Sequence, residues 1–372
     1  MSVLGWLWLT RRGGPPAPTA DARPSAAALF AAGDLDGAIA AARAAWLDDA
    51  APDALVTWVR ALVYRSYSEY DRAPDRAAAL AAAERAAQRY PDSPDILAAY
   101  AFALQAAGQP AAAADQARAV LERAPDHALA RTALALAYAV AGSPAVAQRE
   151  SQRVVDTLAA RGALAADDAL DALRALSISY GDQGAYAQAE AVIERALAIN
   201  PRLLALLYER ARFAMQRGDT DSATIAYYQV LVYSPENVKA RYRLCEVSSI
   251  LREHAAAVTY CGGVIARAPG WADGWYLLGR EYFLDGQMRA AIEHLAQCTR
   301  LQISQNVPVT ERRFECWYLQ GQAAEIVGDC DHLLAAYREY QAMKAQAAAA
   351  GTPLAQTWVY PPEGPPGCPP GV

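Results

Sequence analysis

Few side chains in this chain could do chemistry unaided, and their spacing decides how far that reading goes. Four histidines stand at 127, 254, 294 and 332, none with a serine or cysteine partner at a motif spacing. A nucleophile needs a base within hydrogen-bond reach, so scattered histidines argue against covalent catalysis. The sequence contains no GxxxxGK[ST] loop, no GxGxxG, no HExxH and no GxSxG, the local patterns that cradle phosphate, bind metal or present a serine. His294 and Cys298 lie one helical turn apart and could in principle share a metal ion, but no second ligand pair accompanies them. The six cysteines, at 245, 261, 298, 316, 330 and 368, form no CxxC pair. No catalytic residue, cofactor site or metal site is assigned. What remains is recognition, through tyrosine and arginine.

The elements that must position those residues are written in a fixed beat. Proline falls at 91 and 125, then at 201, 235 and 269, with adjacent gaps of 34. Alanine keeps the interval at 79, 113 and 147 and at 189, 223, 257 and 291, and glycine joins it at 108, 142, 184, 218 and 286. Self-similarity at this period marks a helix-turn-helix array. Glycine suits the turn between two antiparallel helices, and proline ends the second helix because it has no amide to donate. One such pair buries too little apolar surface to stand alone, so neighbours must stack.

Three units carry a family resemblance in one register. They are Trp275, Leu278, Gly279, Tyr282, Gly286, Ala291, Leu295 and Cys298; Leu173, Leu176, Ser177, Tyr180, Gly184, Ala189, Ile193 and Ala196; and Leu97, Tyr100, Ala101, Leu104, Gly108, Ala113, Ala117 and Val120. In these residues the chain resembles the tetratricopeptide repeat family. The resemblance reaches from residue 25 to 349 and implies an all-α, right-handed superhelical solenoid of about nine repeats. Three insertions break the beat, at 65–76 (RSYSEYDRAPDR), 157–168 and 303–313. They are expected to be loops or longer helices at the edge of the solenoid, where added length costs little. In the repeat frame Cys245, Cys261 and Cys298 take small buried positions and read as core thiols.

The resemblance also implies a binding surface, because the first helix of each family repeat lines a concave groove. In that frame Tyr208, Tyr242, Tyr276 and Tyr318 recur at one groove position of four successive units, with Arg212, Glu246, Arg280 and Gln322 one turn further along. Earlier units carry Ala98/Phe102 and Thr132/Leu136 there. An apolar, shallow N-terminal half and an aromatic, charged C-terminal half are expected. Family members that grip a C-terminal carboxylate use cations and asparagines at places that here hold Arg174, Ile178, Glu209, Lys239 and Arg243. The cations are present, the asparagines are missing and Glu209 opposes an anion, so a looser acidic-peptide contact at Arg174, Lys239 and Arg243 is the reading. The candidate groove is therefore Arg174, Tyr208, Arg212, Lys239, Tyr242, Arg243, Tyr276, Arg280 and Tyr318.

Composition fits a helical array: 372 residues, 54% hydrophobic and 20% charged, with a net charge of −6. That balance argues against nucleic acid, which calls for a basic face. Residues 1–24 read as a short apolar segment, SVLGWLWL at 2–9, followed by a Pro/Gly/Arg linker. The segment is too short to span a bilayer, and Arg11 and Arg12 follow it, the reverse of a secretory leader. Residues 2–9 are the one stretch through which membrane contact is left open, and a cytoplasmic location is expected. Residues 350–372 hold a proline-rich tail, with seven prolines in 352–372, expected to be extended or disordered and dispensable for folding. Its Trp358 and Tyr360 give it the look of a peptide ligand, even for the chain's own groove. The function expected is that of an adaptor or assembly scaffold binding an extended peptide or helix of a partner protein. The alternative is a permanent structural subunit of a larger complex, whether or not that complex is attached to a membrane. The oligomeric state is open.

Overall fold

The computed structural model describes residues 24–70, 72–164, 168–361, 364, 365, 367 and 368. The segment 2–9 lies outside them. Eighteen α-helices form nine antiparallel pairs among the described residues. The first pairs are α1 (Ala26–Ala31) with α2 (Leu35–Asp49), α3 (Pro52–Ser68) with α4 (Ala73–Arg89), and α5 (Pro94–Ala106) with α6 (Pro110–Arg123). Next come α7 (Ala128–Val140) with α8 (Pro144–Ala160), α9 (Asp168–Gly181) with α10 (Tyr186–Ile199), and α11 (Leu204–Arg217) with α12 (Thr220–Tyr233). The last are α13 (Val238–Ile250) with α14 (His254–Arg267), α15 (Ala272–Leu284) with α16 (Met288–Ser304), and α17 (Glu315–Val327) with α18 (Cys330–Ala349). Each helix packs on the next, and odd-numbered helices also pack on one another, as in α3 with α5 and α5 with α7. This is the α-solenoid that the period implies.

Local chemistry sets the boundaries. Proline opens α3, α5, α6 and α8 in the first turn, where its missing amide would have had no partner anyway. Asp34, Asp219, Asn237 and Asp329 cap α2, α12, α13 and α18 by accepting an amide hydrogen bond. Pro125, Pro201, Pro235 and Pro269 each follow the second helix of a pair. The insertions lengthen helices as much as loops. Helix α3 runs on to Ser68, α8 to Ala160 and α16 to Ser304, the last followed by a 3-10 turn at Val309–Glu311.

The register inferred from the period is visible in the packing. A Cβ on Gly279 would stand 2.6 Å from Leu295 Cγ, and Ala291 is fully buried, so α15 and α16 cross closely at the expected place. One repeat earlier the positions of Gly279 and Leu295 hold Cys245 and Cys261, and these form a disulfide with a Cα–Cα distance of 5.4 Å. Cys298 is bonded to Cys316 and Cys330 to Cys368. The expectation of free core thiols is corrected: the sulfurs are buried, but paired. Two positions that face each other across a tight helix crossing bring Cα atoms into bridging range, so the signal was present in the register.

The tail is also corrected. Residues 352–361 contain no helix, yet they are packed, not loose. Trp358 is 4% exposed and makes edge-on contacts with Tyr318 and Tyr337. A Cβ on Gly321 would lie 2.3 Å from its ring. Tyr340 Oη donates to the Gln356 carbonyl and accepts from the Trp358 amide, both at 3.0 Å. The tail thus covers the α17/α18 face that a tenth repeat would otherwise cover, and the Cys330–Cys368 bond ties its end down.

Candidate functional site

The inner surface does not run open along the array. Helix α3 of the second repeat lies against α9 and α11 of the fifth and sixth. Arg60 pairs with Asp171 at 2.7 Å, both buried, and Tyr64 Oη donates to the same carboxylate at 2.7 Å. The first repeat closes the same seam. Asn200 Nδ2 donates to the Phe30 carbonyl at 3.1 Å, and the turn at Gly33 (φ +78°) meets Arg202 so closely that a Cβ there would stand 2.6 Å from Arg202 Cβ. Glycine is required at that turn for its φ and for its missing side chain. The residues expected to line a shallow N-terminal groove do not line one: Ala98, Phe102, Thr132 and Leu136 are all buried, Ala98 against Val120 and Ala130 of the neighbouring helices.

The C-terminal half keeps open concave space. One cavity of about 670 Å³ is lined by Arg174, Ile178, Asp182, Tyr208, Glu209, Arg212, Met215, Tyr227, Lys239, Arg243, Glu246, Ile250 and Arg280, with Tyr67 closing one side. A second, of about 830 Å³, is lined by Glu69, Tyr70, Lys239, Tyr242, Arg243, Gly270, Trp271, Asp273 and Gln305.

Most cations in the first cavity already have anionic neighbours. Arg174 is buried and bonds Glu209 at 2.8 Å, with its guanidinium over the Tyr67 ring at 4.5 Å. Arg174 Nε has no acceptor among the described residues. Arg212 bonds Glu209 at 2.9 Å and faces Asp182 at 3.6 Å. Burial alone would raise the Glu209 carboxyl, but Arg174 and Arg212 outweigh it and hold its pKa below the ordinary value. Burial raises that of Asp182, against Arg212. Arg243 bonds Glu246 at 2.6 Å and keeps nearly half of its side chain in solvent. Arg280 reaches Ser249 at 2.9 Å and Glu281 at 3.1 Å. A partner's carboxylate must compete with these pairs for the guanidinium groups, and charge-assisted bonds are the strong ones. Glu209 occupies Arg174 and Arg212, so the carboxylate-clamp geometry is absent.

Lys239 differs in bonding a main-chain carbonyl and not a carboxylate. Its Nζ donates to the Tyr67 carbonyl at 2.5 Å and stands 4.2 Å from the Tyr208 ring centre. Burial, with Arg243 beside it, lowers its pKa to about 8. Tyr208 Oη donates to Asn237 at 2.7 Å, and burial raises its pKa. Tyr242 packs on Trp271 with ring centres 4.6 Å apart, and burial raises its pKa too.

The structure thus brings seven of the nine candidates to the two cavities. Tyr276 and Tyr318 go elsewhere: Tyr276 is buried under the guanidinium groups of Arg313 and Arg280, and Tyr318 stacks on Phe314 and meets Trp358. The residues that sequence reasoning missed are Tyr67, Glu69 and Tyr70, in the 65–76 insertion, with Asn237 and Trp271 facing them. The sequence marked that insertion only as a break in the 34-residue beat. The His294/Cys298 pair does not form a metal site, because the sulfur is bonded to Cys316 and His294 Nδ1 lies 2.8 Å from the Ala290 carbonyl. Among the described residues no helix is long and apolar enough to cross a membrane.

No family model matches the chain, and no curated protein matches it. Solved structures do. One is the anaphase-promoting-complex hetero-tetramer Cut9-Hcn1, at 13% identity and TM-score 0.57, covering 80% of this chain and 54% of that one. This chain therefore spans about half of that relative's length. Another is the C-terminal part of a tetratricopeptide repeat protein from Cytophaga hutchinsonii, at 14% identity and TM-score 0.53, covering 69% of this chain and 100% of that one. Nine stacked helix pairs, the periodic residues at their crossings and these two likenesses agree: the chain has the tetratricopeptide-type α-solenoid fold.

Proposed function

We propose that the chain is a protein-interaction adaptor or scaffold, receiving an extended segment of a partner protein in the concave cavity of its fifth to eighth repeats. The observation that carries this reading is the cavity lined by Arg174, Arg212, Arg243 and Arg280, interleaved with Ile178, Met215 and Ile250. Guanidinium groups at fixed positions read main-chain carbonyls and acidic side chains, and the apolar residues between them accept alternate side chains of an extended strand.

Three disulfides among 245–368 favour an oxidising compartment over the cytoplasmic location expected from the sequence, since thiols stay reduced in the cytosol. A permanent structural subunit is the second reading. It is favoured by Ile225, Tyr228 and Val232, which are exposed along one face of the outer helix α12.

The test is affinity capture with mass spectrometry, followed by titration of the captured partner. Truncating Arg243 and Arg280 to alanine is expected to weaken binding by about tenfold or more for each residue that acts as an anchor. The convex variant Ile225→Ser/Val232→Ser is expected to bind as the parent does. The reverse outcome replaces the adaptor with the structural subunit.

A further inference from the structure

The last two residues of α3, Tyr67 and Ser68, and the two that follow, Glu69 and Tyr70, are held by the seventh and eighth repeats. Lys239 Nζ donates to the Tyr67 carbonyl at 2.5 Å, and Asn237 Nδ2 to the Ser68 carbonyl at 2.9 Å. The Glu69 carboxylate accepts from the amides of Val238 and Lys239 at 2.9 and 2.8 Å, at the positive end of α13. The Tyr70 ring stacks on Trp271, centres 4.8 Å apart and planes 21° apart, and Tyr242 packs on Trp271 as well. Repeat-on-repeat stacking works differently, through buried apolar side chains at helix crossings. Here main-chain carbonyls are read by an asparagine and a lysine, a carboxylate sits on helix amides, and an aromatic ring fills a slot. Glu69 itself is extended (φ −144°, ψ 164°).

The segment also stands where a partner would enter. Tyr67 walls one cavity, Glu69 and Tyr70 wall the other, and Lys239 and Arg243 line both. Its far side is anchored separately: Arg65 bonds Asp75 at 2.6 and 2.8 Å and Asp36 at 2.5 Å. The strap can therefore let go of α13 without the second repeat coming apart. Glu69 and Tyr70 are only half-buried, and Lys239 is desolvated where it meets the strap, so closure is opposed as well as favoured.

We propose that Tyr67–Tyr70 is a built-in occupant of the groove, a strap that holds the superhelix closed and is displaced by a partner segment of the same chemistry, a carboxylate followed by an aromatic ring. The proposal rests on the groove-binding reading above, but its test needs no partner. Amide exchange of Val238 and Lys239 is followed in the parent, in Glu69→Gln and in Glu69→Ala/Tyr70→Ala. A synthetic peptide of residues 65–76 is then added at up to roughly millimolar concentration, the range in which a tethered segment competes.

Exchange at these two amides is expected to rise about tenfold or more in Glu69→Ala/Tyr70→Ala, and by less in Glu69→Gln, as the charged acceptor is lost. The added peptide is expected to restore protection in the double variant and to leave the parent unchanged. Circular dichroism checks that helical content is kept in every variant. Unchanged exchange in both variants, or a double variant that opens but is not protected by the peptide, overturns the strap. Failure of the Arg243 and Arg280 variants to affect a partner would overturn the groove reading while leaving this result as it stands.

Discussion

Arg60 and Asp171, 111 positions apart in the sequence, meet at 2.7 Å with both side chains buried. Tyr64 donates to the same carboxylate, and the Arg60 guanidinium lies over the Phe30 ring at 4.8 Å. This cluster closes the second repeat onto the fifth. In a linear solenoid each unit touches only its neighbours, so contact across three repeats couples segments that would otherwise unfold independently. Removing one partner of a buried ion pair leaves the other charged and dry. Asp171→Ala is expected to destabilise the fold by about 3–5 kcal/mol. Denaturant unfolding followed by circular dichroism checks it, and a broader transition should accompany the loss as the halves uncouple. An unchanged midpoint would show that the seam contributes little.

Trp358 and Gly321 make the second prediction. The indole fills the space left by the missing side chain and is surrounded by Tyr318, Tyr337 and Tyr340. Trp358→Ala is expected to cost about 3–5 kcal/mol, as for other large-to-small changes in a packed core. Cutting the chain at Gly351 should lower the melting temperature clearly. Reducing the disulfides should narrow the gap between full-length and truncated proteins, because the Cys330–Cys368 bond no longer restrains the tail. Equal melting temperatures with and without the tail would show that its packing adds no stability.

Lys239 makes the third. Its pKa in the folded chain is lowered to about 8, against roughly 10.4 in an unfolded chain. Below about pH 8 both states hold the proton, and the folded state bears the full cost of a desolvated charge. Between about pH 8 and 10 the unfolded state binds more protons, so this residue's contribution to stability rises with pH, by up to about 1.4 kcal/mol per unit. Glu209, held below the ordinary carboxyl value, and Arg174 and Arg243, held above the ordinary guanidinium value, face it and keep their charge across this window. Raised tyrosines such as Tyr208 and Tyr242 act in the opposite sense only above about pH 10, where the unfolded chain begins to lose phenolic protons. The stability of the parent minus that of Lys239→Met should therefore increase from pH 8 to 10. A flat difference would mean that the ammonium is not desolvated.

The 34-residue recurrence of Pro201, Pro235 and Pro269, of the alanines at 189, 223, 257 and 291, and of the turn glycines was enough to determine the nine helix pairs and their register. Those features act within one pair, through backbone conformation and the close crossing of two helices, so they repeat wherever the pair repeats. The same register placed Cys245 opposite Cys261, although pairing needed the observed distance between their backbones.

Closure was decided only in three dimensions. Arg60 and Asp171, Glu69 and Val238, and Trp358 and Gly321 each occur once, and no period announces them. How tightly a solenoid curls depends on a small rotation between neighbours summed over many repeats, and no single unit contains that sum. That rotation brought the second repeat against the fifth, sixth and seventh, buried Arg174 and Lys239, and left Arg212, Arg243 and Arg280 facing open space.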